Sequence, residues 1–331
     1  PRLSASGRYV VFISDTPIDP ADVNDGVAEV YRYDRITGQY VWVTRDVANG
    51  PANNSSTTPS ISSDGRFVAF VSAATDLVAG DPLNGKLDVF VRDLQAGTTR
   101  RLSTNVDAAP SGTDARDPFI SADGQYVTYL LSSSELTTDA NAASDAYVIK
   151  TDGTGLRGPV SRATEGDVSA AAGAYDPTLS MFGRYLTFRS YVATLVAGDT
   201  NQAADVFGRQ LLGAPGVAIA SPLARVSVST ANAQAQGGTG VDTENPEING
   251  NGTAVVYQSG FTNLVAGDTN FMVDAFIRTG SFAGECTFLE ATVPGYTAWL
   301  QQFGIDPCSN EGSPFADPDG DGFTNNDERT G

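Results

Sequence analysis

Residues near the C-terminus have the types and spacing of a cation-binding loop: Asp317-Pro-Asp319-Gly-Asp321-Gly322-Phe323-Thr-Asn325-Asn-Asp-Glu328. A hard cation such as calcium takes oxygen ligands from alternating positions of a twelve-residue loop, with a glycine at the sharp turn. Asp317, Asp319 and Asp321 supply carboxylates at the first, third and fifth positions, and Gly322 stands at the turn. The Phe323 carbonyl serves the seventh position, Asn325 the ninth directly or through water, and Glu328 is the bidentate ligand at the twelfth. Calcium is therefore the expected cofactor, in a single loop with no flanking helix pair.

A second set of oxygen ligands recurs along the chain. Asp22 and Asn24, Asp81 and Asn84, Asp139 and Asn141, Asp199 and Asn201, and Asp268 and Asn270 each lie in a polar loop. An acid follows six or seven residues after the Asp of each pair: Glu29, Asp88, Asp145, Asp205 and Asp274. These loops admit two readings. Each could hold a calcium ion; or the Asp and Asn form Asx-turns while the later acid accepts backbone N–H bonds where a strand begins. The spacing is not that of an EF-hand loop.

Composition narrows the remaining chemistry. The chain has 331 residues, with 39 acidic against 20 basic, a formal charge of −19, and no histidine. The charge disfavours nucleic acid and anionic membrane surfaces as partners. Without histidine, Ser-His and Cys-His nucleophile pairs and imidazole-ligated metals are excluded. No GxSxG or HExxH motif is present, and Gly237-Gly-Thr-Gly lacks the lysine and the strand-to-helix context of a phosphate loop. Nearly every acid recurs at an equivalent place, whereas an active site breaks such symmetry, so a non-catalytic protein is expected.

The elements that must position these residues are written as repeats. Prolines 1, 59, 118, 177 and 246 each open a Pro-x-[Ile/Leu] segment, followed by a Gly-containing turn and an apolar run, and the recurrent acid stands 27 to 29 residues later. Each unit predicts four short antiparallel strands. They are the Pro-x-[Ile/Leu]-Ser segment, the Tyr/Phe-Val-x-Phe run after an Asp-Gly-type hairpin turn, the run opened by the acid, and a last strand. That last strand reads Tyr40 to Thr44, Thr99 to Ser103, Pro159 to Ala163 and Ala224 to Ser229. A sheet of this size must cover both faces, and radial stacking into an all-β propeller does so while protecting edges. Five blades are expected across residues 1–282. The fifth lacks an obvious fourth strand after Ile277, and either a strand from before Pro1 or Cys286 to Leu289 would close it.

Ser63-Asp-Gly-Arg-Phe-Val-Ala-Phe-Val-Ser72, with Ser62 before it, and Asp88-Val-Phe-Val-Arg-Asp93 resemble the TolB-type, WD-like β-propeller repeats of bacterial secreted and periplasmic proteins. Phe315-Ala-Asp-Pro-Asp-Gly-Asp-Gly-Phe resembles the loops of thrombospondin type 3 and dockerin-like extracellular proteins. The first resemblance implies fold and the second implies calcium.

Residues 283–331 read as a separate C-terminal segment. Pro294 to Gly304 is a short helix, and Cys286 and Cys308 flank it. Two cysteines in one small segment, with no CxxC and no histidine, favour a structural disulfide worth about 3 kcal/mol and hence an oxidising compartment. No apolar run is long enough to span a membrane. The chain opens at Pro1 without a signal peptide and stops in a motif-rich stretch, as a processed or partial chain does. These features together imply a secreted, cell-surface or periplasmic protein-interaction, adhesion or assembly module. Its partners would be proteins or glycans of the same compartment. The alternative is a carbohydrate-active enzyme or lectin using the propeller face.

Overall fold

The computed structural model describes residues 1–23, 26–81, 85–104, 112–131, 143–155, 160–161, 173–211, 223–236, 242–270 and 272–280. Asn24, Asn84, Asp139 and Asn141, the Cys286–Cys308 pair, the expected helix and the 317–328 loop lie outside them. The described residues form no helix and build five antiparallel sheets, one per repeat. Blade 1 is β1 (Arg2–Leu3), β2 (Tyr9–Ser14), β3 (Glu29–Asp34) and β4 (Tyr40–Trp42). Blade 2 is β5 (Ser56–Ile61), β6 (Phe67–Ser72), β7 (Asp88–Asp93) and β8 (Thr98–Arg101).

Blade 3 comprises β9 (Ala115–Ile120), β10 (Tyr126–Leu131) and β11 (Asp145–Lys150). Val160 and Ser161 lie along its outer edge, where the Val160 N–H donates to the Ala146 carbonyl at 2.8 Å. Blade 4 is β12 (Ala174–Leu179), β13 (Tyr185–Ser190), β14 (Asp205–Gln210) and β15 (Ala224–Arg225). Blade 5 has β16 (Thr243–Ile248), β17 (Ala254–Ser259) and β18 (Asp274–Thr279), with no fourth strand among the described residues.

The repeat register explains why the blades stack. An aromatic pair faces across the second and third strands of every blade: Phe12 and Tyr31, Phe70 and Phe90, Tyr129 and Tyr147, Phe188 and Phe207, Tyr257 and Phe276. Their centroids are 5.8 to 6.1 Å apart, within the range where such pairs add to simple burial. Apolar side chains of consecutive blades then merge into four cores, between blades 1 and 2, 2 and 3, 3 and 4, and 4 and 5.

In blades 2 to 5 the hairpin turn also seats on the preceding blade. The turn glycine Gly65 (φ 72°) lies against the Tyr9 ring, Gly124 against Phe67, Gly183 against Tyr126 and Gly252 against Tyr185. Glycine is required there twice over, for the positive φ and for the space a Cβ would occupy.

No fifth core joins blade 5 to blade 1 among the described residues. Ala254 stands where the other blades place that Tyr or Phe, and Gly7 has no ring against it. Leu3 and Ile277, on these two blades, are 61% and 67% exposed. One ion pair, Arg2 to Glu247, crosses the seam.

The inner strands differ from expectation at their start. They begin three residues before the proline, in four blades, with a bulge in the pairing. The residue ahead of the proline is left-handed in each: Thr58 (φ 47°), Asp117 (49°), Asp176 (51°) and Asn245 (51°). A bulge accommodates a proline that cannot donate to the ladder, so the strand continues through a residue that alone would read as its boundary.

Backbone bonds tie the turns of blades 2 to 5 together: Ser63 N–H to the Ala122 carbonyl (2.8 Å), Asp123 N–H to Met181 (3.0 Å) and Met181 N–H to Gly250 (2.8 Å). Asp123 is buried at this junction, accepting from the Ser121 hydroxyl and, at 3.0 Å, from the Gln125 N–H. Burial pushes its carboxyl up to about 6. The folded state therefore binds more protons than the unfolded chain between the ordinary Asp value and about 6, and this residue's contribution to stability falls as pH rises through that window. Asp123→Asn keeps the acceptor oxygen and should stabilise the protein by about 3 kcal/mol at pH 7, a gain that vanishes below about pH 4. Urea midpoints at the two pH values measure it.

Candidate functional site

Two places gather functional side chains: the propeller axis, and the outer ends of the loops that join second to third strands.

A cavity of about 320 Å³ lies on the axis, with Pro59, Pro118, Pro177 and Pro246 from four consecutive inner strands in its wall. The left-handed residues Thr58, Asp117, Asp176 and Asn245 line it as well, together with Arg2, Phe119 and Glu247. In blades 2 to 5 the bulge in the inner strand is what brings the pre-proline residue to the axis. Blades 2 to 5 therefore each contribute a pre-proline polar side chain to a rim with an apolar proline beside it.

The rim is not symmetric in charge. Burial raises the Asp117 carboxyl above the usual range, and neighbouring Asp176 raises it further against the pull of Arg116. Asp176 has a cation close by, with Arg189 Nε at 3.1 Å, and Arg189 also reaches Glu244 at 3.3 Å. One carboxyl thus holds its proton more tightly while its neighbour is paired, an arrangement that can bind a polar or cationic group or exchange a proton. These axial residues were not legible as a site from the sequence. The available signal was the polar residue ahead of each recurrent proline.

At the loops, the recurrent acid makes the same small network in four blades. Asp88 accepts from the Ser103 hydroxyl at 2.6 Å, and that hydroxyl oxygen accepts from the Val89 N–H at 3.0 Å. Asp145, Ser161 and the Ala146 N–H repeat the pattern at 2.7 and 3.1 Å, and Asp205, Ser227 and the Val206 N–H at 2.6 and 3.0 Å. In blade 1 Glu29 bonds the Thr44 hydroxyl, which takes the Val30 N–H at 2.9 Å. The acid thus meets a hydroxyl, and the hydroxyl, rather than the acid, receives the backbone N–H at the strand start.

The earlier loop residues differ by blade. Asp22 accepts from the Tyr31 hydroxyl at 2.6 Å. Asp81 and Asp88 are brought together around Arg101, and Asp199 and Asp205 around Arg225, at 3.3 and 3.4 Å. Asn201 donates to Asp205 Oδ2 at 3.1 Å and Asn270 to Asp274 Oδ2 at 3.0 Å. Burial raises the carboxyls of Asp81 and Asp205, and that of Asp88 to about 6, against the opposing pull of their arginines and, for Asp88 and Asp205, of their serine hydroxyls. In blades 2 and 4 a guanidinium therefore stands between the carboxylates that a cation would use. Among the described residues no three acidic or cysteine side chains assemble as a metal-ligand group, and no helix is long and apolar enough to cross a membrane.

No protein-family model matches the sequence, and no curated protein matches it. Among solved structures the chain is similar to TolB from Acinetobacter baumannii, at 14% identity and a TM-score of 0.44, covering 85% of this chain and 54% of that one. It is similar to a putative TolB from Agrobacterium tumefaciens at 18% identity and a TM-score of 0.45, over 85% of this chain and 82% of that one. A further likeness is to the tricorn protease, at 13% identity and a TM-score of 0.46, over 76% of this chain and 22% of that one. The chain thus spans about half the length of the Acinetobacter TolB and under a quarter of the tricorn protease.

Proposed function

We propose that this chain is a non-catalytic, calcium-binding propeller of an extracytoplasmic compartment that holds a protein partner at its axis. The observation that carries the reading is the axial rim, where four consecutive blades present Thr58, Asp117, Asp176 and Asn245 beside prolines. A partner's loop can bury apolar atoms against the prolines and meet polar groups around them, the usual composition of a binding pocket. The acidic axis and the −19 charge favour a partner segment with a cationic group.

The test is photo-crosslinking from Phe119 in the native host. One dominant protein adduct, lost in Asp117→Lys, is the expected result; no adduct from any rim position would overturn the reading. The Asp117 and Asp176 carboxyls also motivate a second reading, a carbohydrate-active enzyme or lectin, because one carboxyl is held up beside a neighbour that is paired. Turnover of a glycan panel that disappears in Asp117→Asn would establish that reading instead.

Calcium belongs to the proposal through residues 317–328. Titrating the full chain by calorimetry should give a binding heat at one site. Glu328→Gln should weaken it at least tenfold, since it removes the bidentate carboxylate.

A further inference from the structure

The residue that follows the recurrent proline has the same place in every blade: Arg2, Ser60, Phe119, Thr178 and Glu247. In blades 2 and 4 it is short and engaged in sheet packing. Ser60 Oγ accepts from the Ile120 N–H at 3.0 Å, the Thr178 and Thr187 hydroxyls share a hydrogen bond at 2.7 Å, and both residues are buried. In blades 1, 3 and 5 the same position carries the long side chains Arg2, Phe119 and Glu247, all three in the wall of the axial cavity. They meet one another there. The Arg2 guanidinium pairs with Glu247 and lies over the Phe119 ring, 5.8 Å from its centroid. One repeat position, on three different blades, thus assembles a carboxylate and an aromatic face around a guanidinium.

Such a site suits a guanidinium better than an ammonium, because the planar group stacks on a ring while its edge donates to a carboxylate. The present occupant is loosely held. The Arg2 and Glu247 side chains are 49% and 52% exposed, and an exposed ion pair or cation–π contact is weak. Arg2 keeps its place in β1 through backbone pairing with Val11, so its side chain can swing into water without disturbing the strand. It is also the one arginine or lysine among the described residues of the cavity wall, which holds the carboxyl groups of Asp117, Asp176 and Glu247. Its withdrawal leaves a vacant ring face and an acidic wall.

We propose that the axial mouth is a guanidinium site, built by Phe119 and Glu247 and occupied in the free protein by the chain's own Arg2, which an arginine side chain of the partner displaces. The inference rests on the axial partner proposed above, and it names both the group that the partner inserts and the internal group that competes for the place. Arg2 thereby acts as a filter: a segment without arginine cannot take over both contacts and leaves Arg2 where it is.

The probe is Nα-acetyl-arginine amide, titrated into the full chain while the Phe119 and Glu247 resonances are followed by NMR. Arg2→Ala should bind it roughly fivefold more tightly than wild type, the gain expected when one exposed ion pair and one cation–π contact no longer compete. Arg2→Gln should do the same and replaces the alanine variant if that one does not fold. Adding Phe119→Leu or Glu247→Gln to Arg2→Ala should weaken binding severalfold, and Nα-acetyl-lysine amide should bind severalfold more weakly than the arginine probe. Equal affinity of wild type and Arg2→Ala, or of the two probes, would overturn the proposal. The titration needs no partner, so the guanidinium site and the axial partner can fail separately. A protein crosslinked from Phe119 in equal yield with and without Arg2→Ala, in a chain that does not bind the probe, keeps the partner and overturns the guanidinium site. Probe binding by Arg2→Ala with no protein crosslinked from any rim position supports the guanidinium site and overturns the partner.

Discussion

Replacing Asp205 by alanine should destabilise the protein by about 3–5 kcal/mol, the cost of removing one member of a buried ion pair. Asp205 is fully buried and the Arg225 side chain is 9% exposed; the carboxylate takes the Ser227 hydroxyl and the Asn201 amide and lies 3.4 Å from Arg225 Nε. The variant leaves the guanidinium with Asp199 alone and strips the hydroxyl of its acceptor. Ser227→Ala, by contrast, orphans one backbone N–H and one carboxylate oxygen and should cost only about 1–3 kcal/mol. Denaturant unfolding of the two variants separates them. Equal losses would show that the carboxylate serves only to receive the serine.

Gly65→Ala should be about as damaging, at about 2–5 kcal/mol. Its new Cβ would stand 2.3 Å from Tyr9 Cδ2, and the backbone there has φ 72°. The second factor alone costs about 1 kcal/mol or more, and forcing a packed ring aside costs about 1–3 kcal/mol. Gly7→Ala is the internal control. It has φ 68° but its nearest atom is Arg35 Nη1 at 3.7 Å, so it should show the backbone cost only. Adding Tyr9→Ala to Gly65→Ala should recover part of the loss, and a double-mutant cycle would measure the coupling. A Gly65→Ala variant no weaker than Gly7→Ala would mean that the ring is not held by its neighbours.

The contrast between these positions shows what could be read from the sequence. The repeat of Pro-x-[Ile/Leu], turn glycine and acid pointed to the five sheets and the strand order found among the described residues, because those residues obey local rules of turns and pairing. The bulges before Pro59, Pro118, Pro177 and Pro246 were not readable, since a residue ahead of proline ordinarily marks a boundary. Only the neighbouring strand makes the left-handed alternative worthwhile. The partners of the recurrent acids were hidden for a related reason. Ser103, Ser161 and Ser227 lie 15, 16 and 22 residues beyond their acids, and loop length varies while register does not. The axial site was the least legible, because its members are far apart in sequence and meet only through the ring.

The seam between blades 5 and 1 bears on how such a chain changes over evolutionary time. In a cycle sealed by equal contacts, inserting a repeat must break one contact and re-angle every other. Here the described apolar cores run in a row from blade 1 to blade 5, and across the seam the two end blades meet through Arg2 and Glu247. A duplicated unit could then be accepted at either end of the row without disturbing the cores already formed, so the number of blades is a property this architecture can change in single steps.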